Sequence, residues 1–223
     1  ETVGNFTEDT IDFVMRFQFE LANRQDMTVT FLEPSSGRAI HDLRHLAGVR
    51  QVEPFRAAPA RVRFGHRSRR LAVMGLTGDA ELFRALHVDG RVVSLPAEGI
   101  VISEMLAESL ECRPGDRLRI EVLDGARPTL DVPIAGVVRD FVDLNAYMRL
   151  DELRRLLREQ ETASGAFLKV DEDQQAELFT QLKSLPRVAS VGIVRSMRES
   201  YRQTLAENVL RIRTINLFFA SIV

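Results

Sequence analysis

Leu43, Leu46, Val49 and Val52 return as Leu182, Leu185, Val188 and Val191, the same residue types at the same spacing 139 positions later. That spacing suits a helix that ends in a tight turn and gives way at once to a strand, with leucines on the inward helix face and valines opening the return strand. A strand pattern precedes each copy, at 27–33 and at 166–170. One strand–helix–strand unit cannot cover its own sheet, but two together make a four-stranded sheet with both helices on one face. The chain is therefore expected to be α+β, with two βαβ units forming a split-βαβ sheet from residues 26–60 and 165–195.

Residues 61–164 lie between the copies without a Gly/Ser-rich or Pro-rich tether, so they read as a smaller β-rich subdomain inserted into the sheet domain. A hairpin is expected from 61–64 and 69–74, turning through 65–68. A helix is expected at 79–87, carrying Leu82, Phe83 and Leu86. Residues 99–102 then read as a strand, Ser103 as an N-cap, and Met105, Leu106 and Leu110 as one helix face. Arg113-Pro114-Gly115-Asp116 has Pro and Gly where a type II turn requires them. Residues 118–123 and 130–138 form a hairpin around Asp124-Gly125, in which Pro133 marks a bulge or an edge. Asp151 is expected to cap a helix holding Leu153, Leu156 and Leu157.

Residues 215–223, INLFFASIV, are nearly charge-free. They fall far short of the ~20 residues that cross a bilayer, and are expected to be the start of a truncated span. The alternative is a last helix tucked into the protein's own core. Met197, Tyr201, Leu205, Val209 and Ile212 recur at helical steps ahead of the run, which predicts a C-terminal stalk helix within 196–223. Residues 7–23 are also helix-prone, with Ile11, Val14, Met15, Phe17 and Leu21 apolar, giving an N-terminal stalk within 1–25. Two such helices suit stalks rising from one membrane, and suit ordinary terminal packing helices as well. The first residues carry neither a basic leader nor an apolar h-region, so they do not read as a signal peptide.

Residues 99–122, GIVISEMLAESLECRPGDRLRIEV, place a strand, a Ser-Glu helix start, a Leu-Ala helix, a Pro-Gly-Asp turn and a hairpin in series. This order resembles the signature of the extracytoplasmic domain of FtsX-like ABC transporter permeases, the group of the MacB and LolC/LolE types. The resemblance covers essentially the whole chain, because that domain joins a porter-like βαβ-repeat part to an inserted subdomain and is bracketed by stalks and membrane spans. The chain departs from the pattern at Glu111-Cys112, where the family usually has Gly and an apolar residue. The resemblance implies a non-catalytic domain on the periplasmic side of a bacterial inner membrane protein, with no cofactor. Its expected partners are a cytoplasmic ABC ATPase subunit, a second permease copy, and a periplasmic partner protein or a lipid, lipoprotein or peptide cargo. Arg195, Arg198, Arg202, Arg211 and Arg213 favour a cytoplasmic side, but long domains translocate largely regardless of such charges.

Signals for bond chemistry are few. There is no phosphate loop and no Gly-x-Ser-x-Gly elbow. His41 and His45 stand four apart on a predicted helix, spaced to share a metal ion, but no Glu follows to complete a site. Cys112 is alone, which excludes a disulfide framework, and a net charge of −2 argues against nucleic acid as a bulk electrostatic partner. Arg61, Arg63, Arg67, Arg69 and Arg70 surround the Gly65 turn, a cluster suited to anionic lipid head groups or an acidic partner. The plainer reading is a solvated hairpin whose charges guard an exposed edge. Two rival functions stay open: a membrane-anchored sensor or adaptor without an ATPase, and an enzyme of unrecognised type.

Overall fold

A computed structural model describes residues 22–139 and 144–196, together with Glu199. The expected stalks at 1–25 and 196–223, including Met197, Tyr201, Leu205, Val209 and Ile212, lie outside the described residues except for their inner ends. Among the described residues, between Met27 and Ile193, nine strands and four helices follow in the order β1 (Met27–Ser36), α1 (Gly37–Arg44), β2 (Val49–Phe64), β3 (Arg67–Leu76), β4 (Ile100–Ser103), α2 (Glu104–Leu110), β5 (Arg117–Val122), β6 (Thr129–Val138), β7 (Ala146–Arg149), α3 (Leu150–Leu157), β8 (Thr162–Val170), α4 (Gln175–Ser184) and β9 (Val188–Ile193). The structure is mixed α/β and dominated by its sheet.

Four strands pair antiparallel in the order β2-β8-β1-β9, with Met27 opposite both Leu168 and Ile193. Helices α1 and α4 bury Ala39, Ile40 and Leu43, and Leu178 and Leu182, in one cluster with Met27, Val29, Val52, Ala166 and Leu168. The sequence repeat extends to the backbone. Leu46 N–H donates to the Leu43 carbonyl and Val49 N–H to that of Leu46; Leu185 with Leu182 and Val188 with Leu185 do the same. Leu43 and Leu182 are buried, whereas Leu185 is exposed, so the two turns differ in what covers them.

The other strands close on themselves. β2 pairs with β3, β3 with β7, β7 with β4, β4 with β6, β6 with β5, and β5 again with β2, making a six-stranded ring. Ala58, Ala60, Val62, Ile102, Ile120, Ile134 and Met148 face its interior, which Leu106 and Leu110 of α2 and Leu153 and Leu157 of α3 help to fill. A long β2, unbroken from Val49 to Phe64, belongs to both the ring and the four-stranded sheet.

Local signals fix much of the ring. Ser103 caps α2, its hydroxyl accepting from Leu106 N–H at 3.2 Å and from Asn145 N–H at 3.1 Å. Gly115 takes φ +96°, and Asp116 N–H returns to the Arg113 carbonyl, as the type II turn demands. At the departure from the family pattern, Glu111 adopts the left-handed conformation (φ 56°) in which glycine is favoured. Cys112 is buried beside it, and burial, followed by the charge of Asp116, pushes its thiol above the ordinary range.

Two local expectations need correcting, and of the two alternatives for Pro133 the bulge is the one that forms. Residues 79–87 form no helix, because tertiary partners claim the backbone groups a helix would use. Glu53 accepts from the N–H groups of Glu81 and Leu82, Arg24 N–H donates to the Leu82 carbonyl, and Arg84 N–H to that of Ala22. Pro133 is not at an edge, since β6 has β5 on one side and β4 on the other; the ladder instead shifts register beside it, skipping Ala135. Arg149, not Asp151, occupies the N-cap of α3, and Asp151 accepts from the Glu152 N–H one residue into the helix.

Candidate functional site

Three places in the fold have charge or geometry beyond what packing requires: the end where the chain enters and leaves, the junction between sheet and ring, and the arginines near the Gly65 turn.

At the first, β1 begins where β9 ends. Val194 N–H donates to the Asp26 carbonyl at 3.0 Å, so the incoming and outgoing segments run side by side from one end of the sheet. A cleft of about 640 Å³ lies there, lined by Asn23, Gln25, Asp26, Arg50, Lys169 and Arg195 among others. Three of its four cations meet carboxylates: Lys169 meets Asp26 at 2.8 Å, Arg195 meets Glu172 at 2.9 Å, and Arg50 pairs with Asp171, while Arg24 also lines the cleft. The incoming segment also bridges to 82–84, with Asn23 opposite Phe83. It is thereby tied to a loop that packs against the ring.

The junction is built on β2. Up to Phe55, opposite Gly165, β2 pairs with β8; from Ala60, opposite Val122, it pairs with β5. Between them the ladder on that side opens, and Ala57 would lose both partners. The Ser164 hydroxyl replaces them, accepting from Ala57 N–H at 3.1 Å and donating to the Ala57 carbonyl at 3.2 Å. Arg56 fills the same gap and is only 1% exposed. Glu159 holds its guanidinium bidentately at 2.9 and 2.8 Å, Asp124 accepts at 3.0 Å, and the Ala57 carbonyl accepts at 2.8 Å. Burial works against the charge, but the two carboxylates outweigh it and Arg56 is held above its ordinary value. One arginine thus ties β2 to the α3–β8 connection and to the β5–β6 turn.

On the opposite face of β2, Phe55 stacks on Phe167 with centroids 4.6 Å apart, and Phe83 stacks on Phe167 at 4.9 Å. Leu76, Val101, Val138 and Tyr147 of the ring share this cluster. Gly165 makes the crossing possible, since a Cβ there would lie 2.1 Å from the Val29 carbonyl oxygen and 2.8 Å from Phe55. The sheet and ring are joined by a continuous strand, a buried ionic node and an aromatic stack.

The five arginines flagged by sequence do not form one patch. Register sets Arg61 opposite Arg70 and Arg63 opposite Ser68, pointing away from the interior, while Arg67 and Arg69 lie opposite Phe64 and Val62 on the interior side. Arg67 pairs with Glu111, and Arg69 donates to the Ser68 carbonyl. Arg61 and Arg63 share Glu121 on β5 at 3.4 and 3.0 Å. Sequence reasoning missed Arg117 and Arg119, which join the outward group from β5, because they stand far from the hairpin in the chain. It also missed Arg56, whose signal was its parity with the inward positions Val52, Ala58, Ala60 and Val62.

His45 Nδ1 is 2.8 Å from the His41 carbonyl oxygen, so one ring nitrogen of the pair is occupied by backbone. Among the described residues no group of three or more His, Cys, Asp and Glu is placed to hold a metal ion, and no helix is long and apolar enough to cross a membrane.

Comparison with known proteins supplies the context. The family model of the MacB-like periplasmic core domain matches residues 4–185. The periplasmic region of MacB from Actinobacillus actinomycetemcomitans aligns at 14% identity and a TM-score of 0.50, covering 84% of this chain and 97% of that one. The extracellular domain of the noncanonic ABC-type transporter YknZ from Gram-positive bacteria aligns at 16% identity and a TM-score of 0.46, covering 68% and 87%. Among curated proteins none matches the chain significantly in sequence.

Proposed function

Because the chain belongs to the MacB-like periplasmic core domain family, the periplasmic part of ABC-type transporter permeases, we propose that it works as a lever. Cytoplasmic ATP hydrolysis, on a separate ATPase subunit, moves the two terminal stalks, and the domain turns that movement into transport or extraction of a substrate at the outer face of the inner membrane. In this reading 26–60 and 165–195 form a porter-like split-βαβ base, with β8 and β1 central, and 61–164 form the inserted subdomain. Stalks at 1–25 and 196–223 connect the base to the membrane, and a second permease copy completes the working unit. A lipid, lipoprotein or peptide is the expected cargo.

The observation that carries this reading is the pairing of Met27 with Ile193, continued by the bond from Val194 N–H to the Asp26 carbonyl. Two segments leaving side by side apply any relative movement directly to β1 and β9. The junction then passes it on as rotation, because an unbroken strand with an ion pair on one face and an aromatic stack on the other leaves little to bend. No group here needs to do bond chemistry. A sensor or adaptor without an ATPase would use the same connectors, so composition of the complex decides between them.

The test uses the full-length permease in its own membrane. A cysteine at Glu177, exposed on α4, is expected to react with a membrane-impermeant maleimide in intact spheroplasts, and the ATPase subunit is expected to co-purify. Labelling only after lysis would overturn the placement, and a protein that retains no ATPase would favour the sensor.

A further inference from the structure

We propose that the outward face of the ring near the Gly65 turn is a docking surface for an acidic protein segment. Five arginines converge there from three strands: Arg61 and Arg63 on β2, Arg70 on β3, and Arg117 and Arg119 on β5. Among the described residues, two carboxylates share the face, Glu121 and Asp131. The face thus carries an excess of three positive charges on a chain whose net charge is −2.

The arrangement costs stability if nothing binds. Arg63 stands directly opposite Arg119 and Arg61 opposite Arg70, like charges that repel across a ladder, and Glu121 opposite Arg61 with Asp131 opposite Arg119 offset only part of that. Glu121 is divided between Arg61 and Arg63, and Asp131 is held by Arg117 at 3.2 Å. Arg70 and Arg119 have no carboxylate within ion-pair distance among the described residues, and both are exposed. A shallow cleft of about 410 Å³, lined by Arg63, Phe64, Gly65, Arg117, Arg119 and Asp131, gives a ligand side chain somewhere to sit. Edge protection accounts for Arg70, where β3 has only β2 beside it, but not for Arg61, Arg63 and Arg119, where the ladder is paired on both sides.

Position decides between a protein and a membrane, and this step rests on the periplasmic lever reading above. Met27, next to the connectors, pairs with Leu168, which pairs with Val52. Arg63 therefore stands roughly 35 Å farther along β2, away from the connectors, at about 3.3 Å per residue. Charge is screened within about 8 Å at physiological salt. The arginines are out of range of head groups in the membrane that anchors the stalks, and face outward toward soluble partners.

The experiment measures binding of a fluorescein-labelled deca-glutamate peptide to the full-length, detergent-solubilised permease by anisotropy. Deca-glutamine and phosphatidylcholine vesicles containing phosphatidylglycerol serve as the other ligands. Deca-glutamate is expected to bind, and Arg63→Glu/Arg119→Glu is expected to weaken it roughly tenfold, in line with loss of rim charge pairs. The charge-matched Arg38→Glu/Arg44→Glu on exposed positions of α1 should not. Unchanged binding in Arg63→Glu/Arg119→Glu, no binding by the parent protein, or arginine-dependent capture by the vesicles instead of the peptide would each overturn the proposal. Cooperative thermal melting of the variants shows that they fold. Outside labelling of Glu177→Cys reports separately on the periplasmic reading, so failure of one is not mistaken for failure of the other.

Discussion

Arg56→Met tests the junction most sharply, because methionine keeps much of the arginine stem and removes only the charged head. The parent residue makes three charge-assisted bonds to Glu159 and Asp124 and is 1% exposed. Breaking a buried pair by deleting one partner costs about 3–5 kcal/mol. Here the abandoned carboxylates are 22% and 27% exposed and regain water, which places the loss near the lower end, about 3 kcal/mol. For a domain of this size that corresponds to a fall in Tm of roughly 6–12 °C. Circular dichroism melts and urea titrations read the loss directly. A double-mutant cycle with Glu159→Met should return a coupling of about 1–3 kcal/mol, since the pair is in contact. A loss below 1 kcal/mol, or additive behaviour in the cycle, would refute the claim that this ion node holds ring and sheet together.

Gly165→Ala should destabilise by about 2 kcal/mol or more in the same melts, because its Cβ meets a carbonyl oxygen that cannot retreat without opening β1 from β8. Ser103→Ala should cost about 2 kcal/mol in urea unfolding, since two backbone N–H groups lose one hydroxyl at a fully buried position. Glu111→Gly should raise stability by about 0.5–1 kcal/mol in a calorimetric scan, because glycine adopts φ 56° without the steric penalty. The exposed pair with Arg67 that it sacrifices contributes little.

What the sequence revealed and what it hid follow from the range of the interactions. Ser103, the Arg113 to Asp116 turn and the repeat of leucines and valines depend on residues within a few positions of one another, and each was legible. The 79–87 segment had helical spacing at Leu82, Phe83 and Leu86, but Glu53 and the 22–24 segment bind its backbone from elsewhere in the chain. Arg56 looks like any strand arginine until Glu159 and Asp124 are brought to it. Closure of the ring was hidden for the same reason, since β2 meets β5 across some sixty residues, as in Arg61 with Glu121. The arginine group was found in part and drawn wrongly, because proximity in sequence ignored the alternation that sends Arg67 and Arg69 to the other side.

The lever itself is tested by distances measured by electron paramagnetic resonance in the full-length permease with its ATPase. Nitroxides are placed at Glu177→Cys on α4 and Glu108→Cys on α2, both exposed and on opposite sides of the junction. Rigid-body transmission predicts that the distance between the two labels within one copy is the same with and without trapped nucleotide. The distance between Glu177 labels on two copies should instead shift by on the order of 5 Å. A nucleotide-dependent change within one copy, with the copies fixed relative to each other, would contradict it.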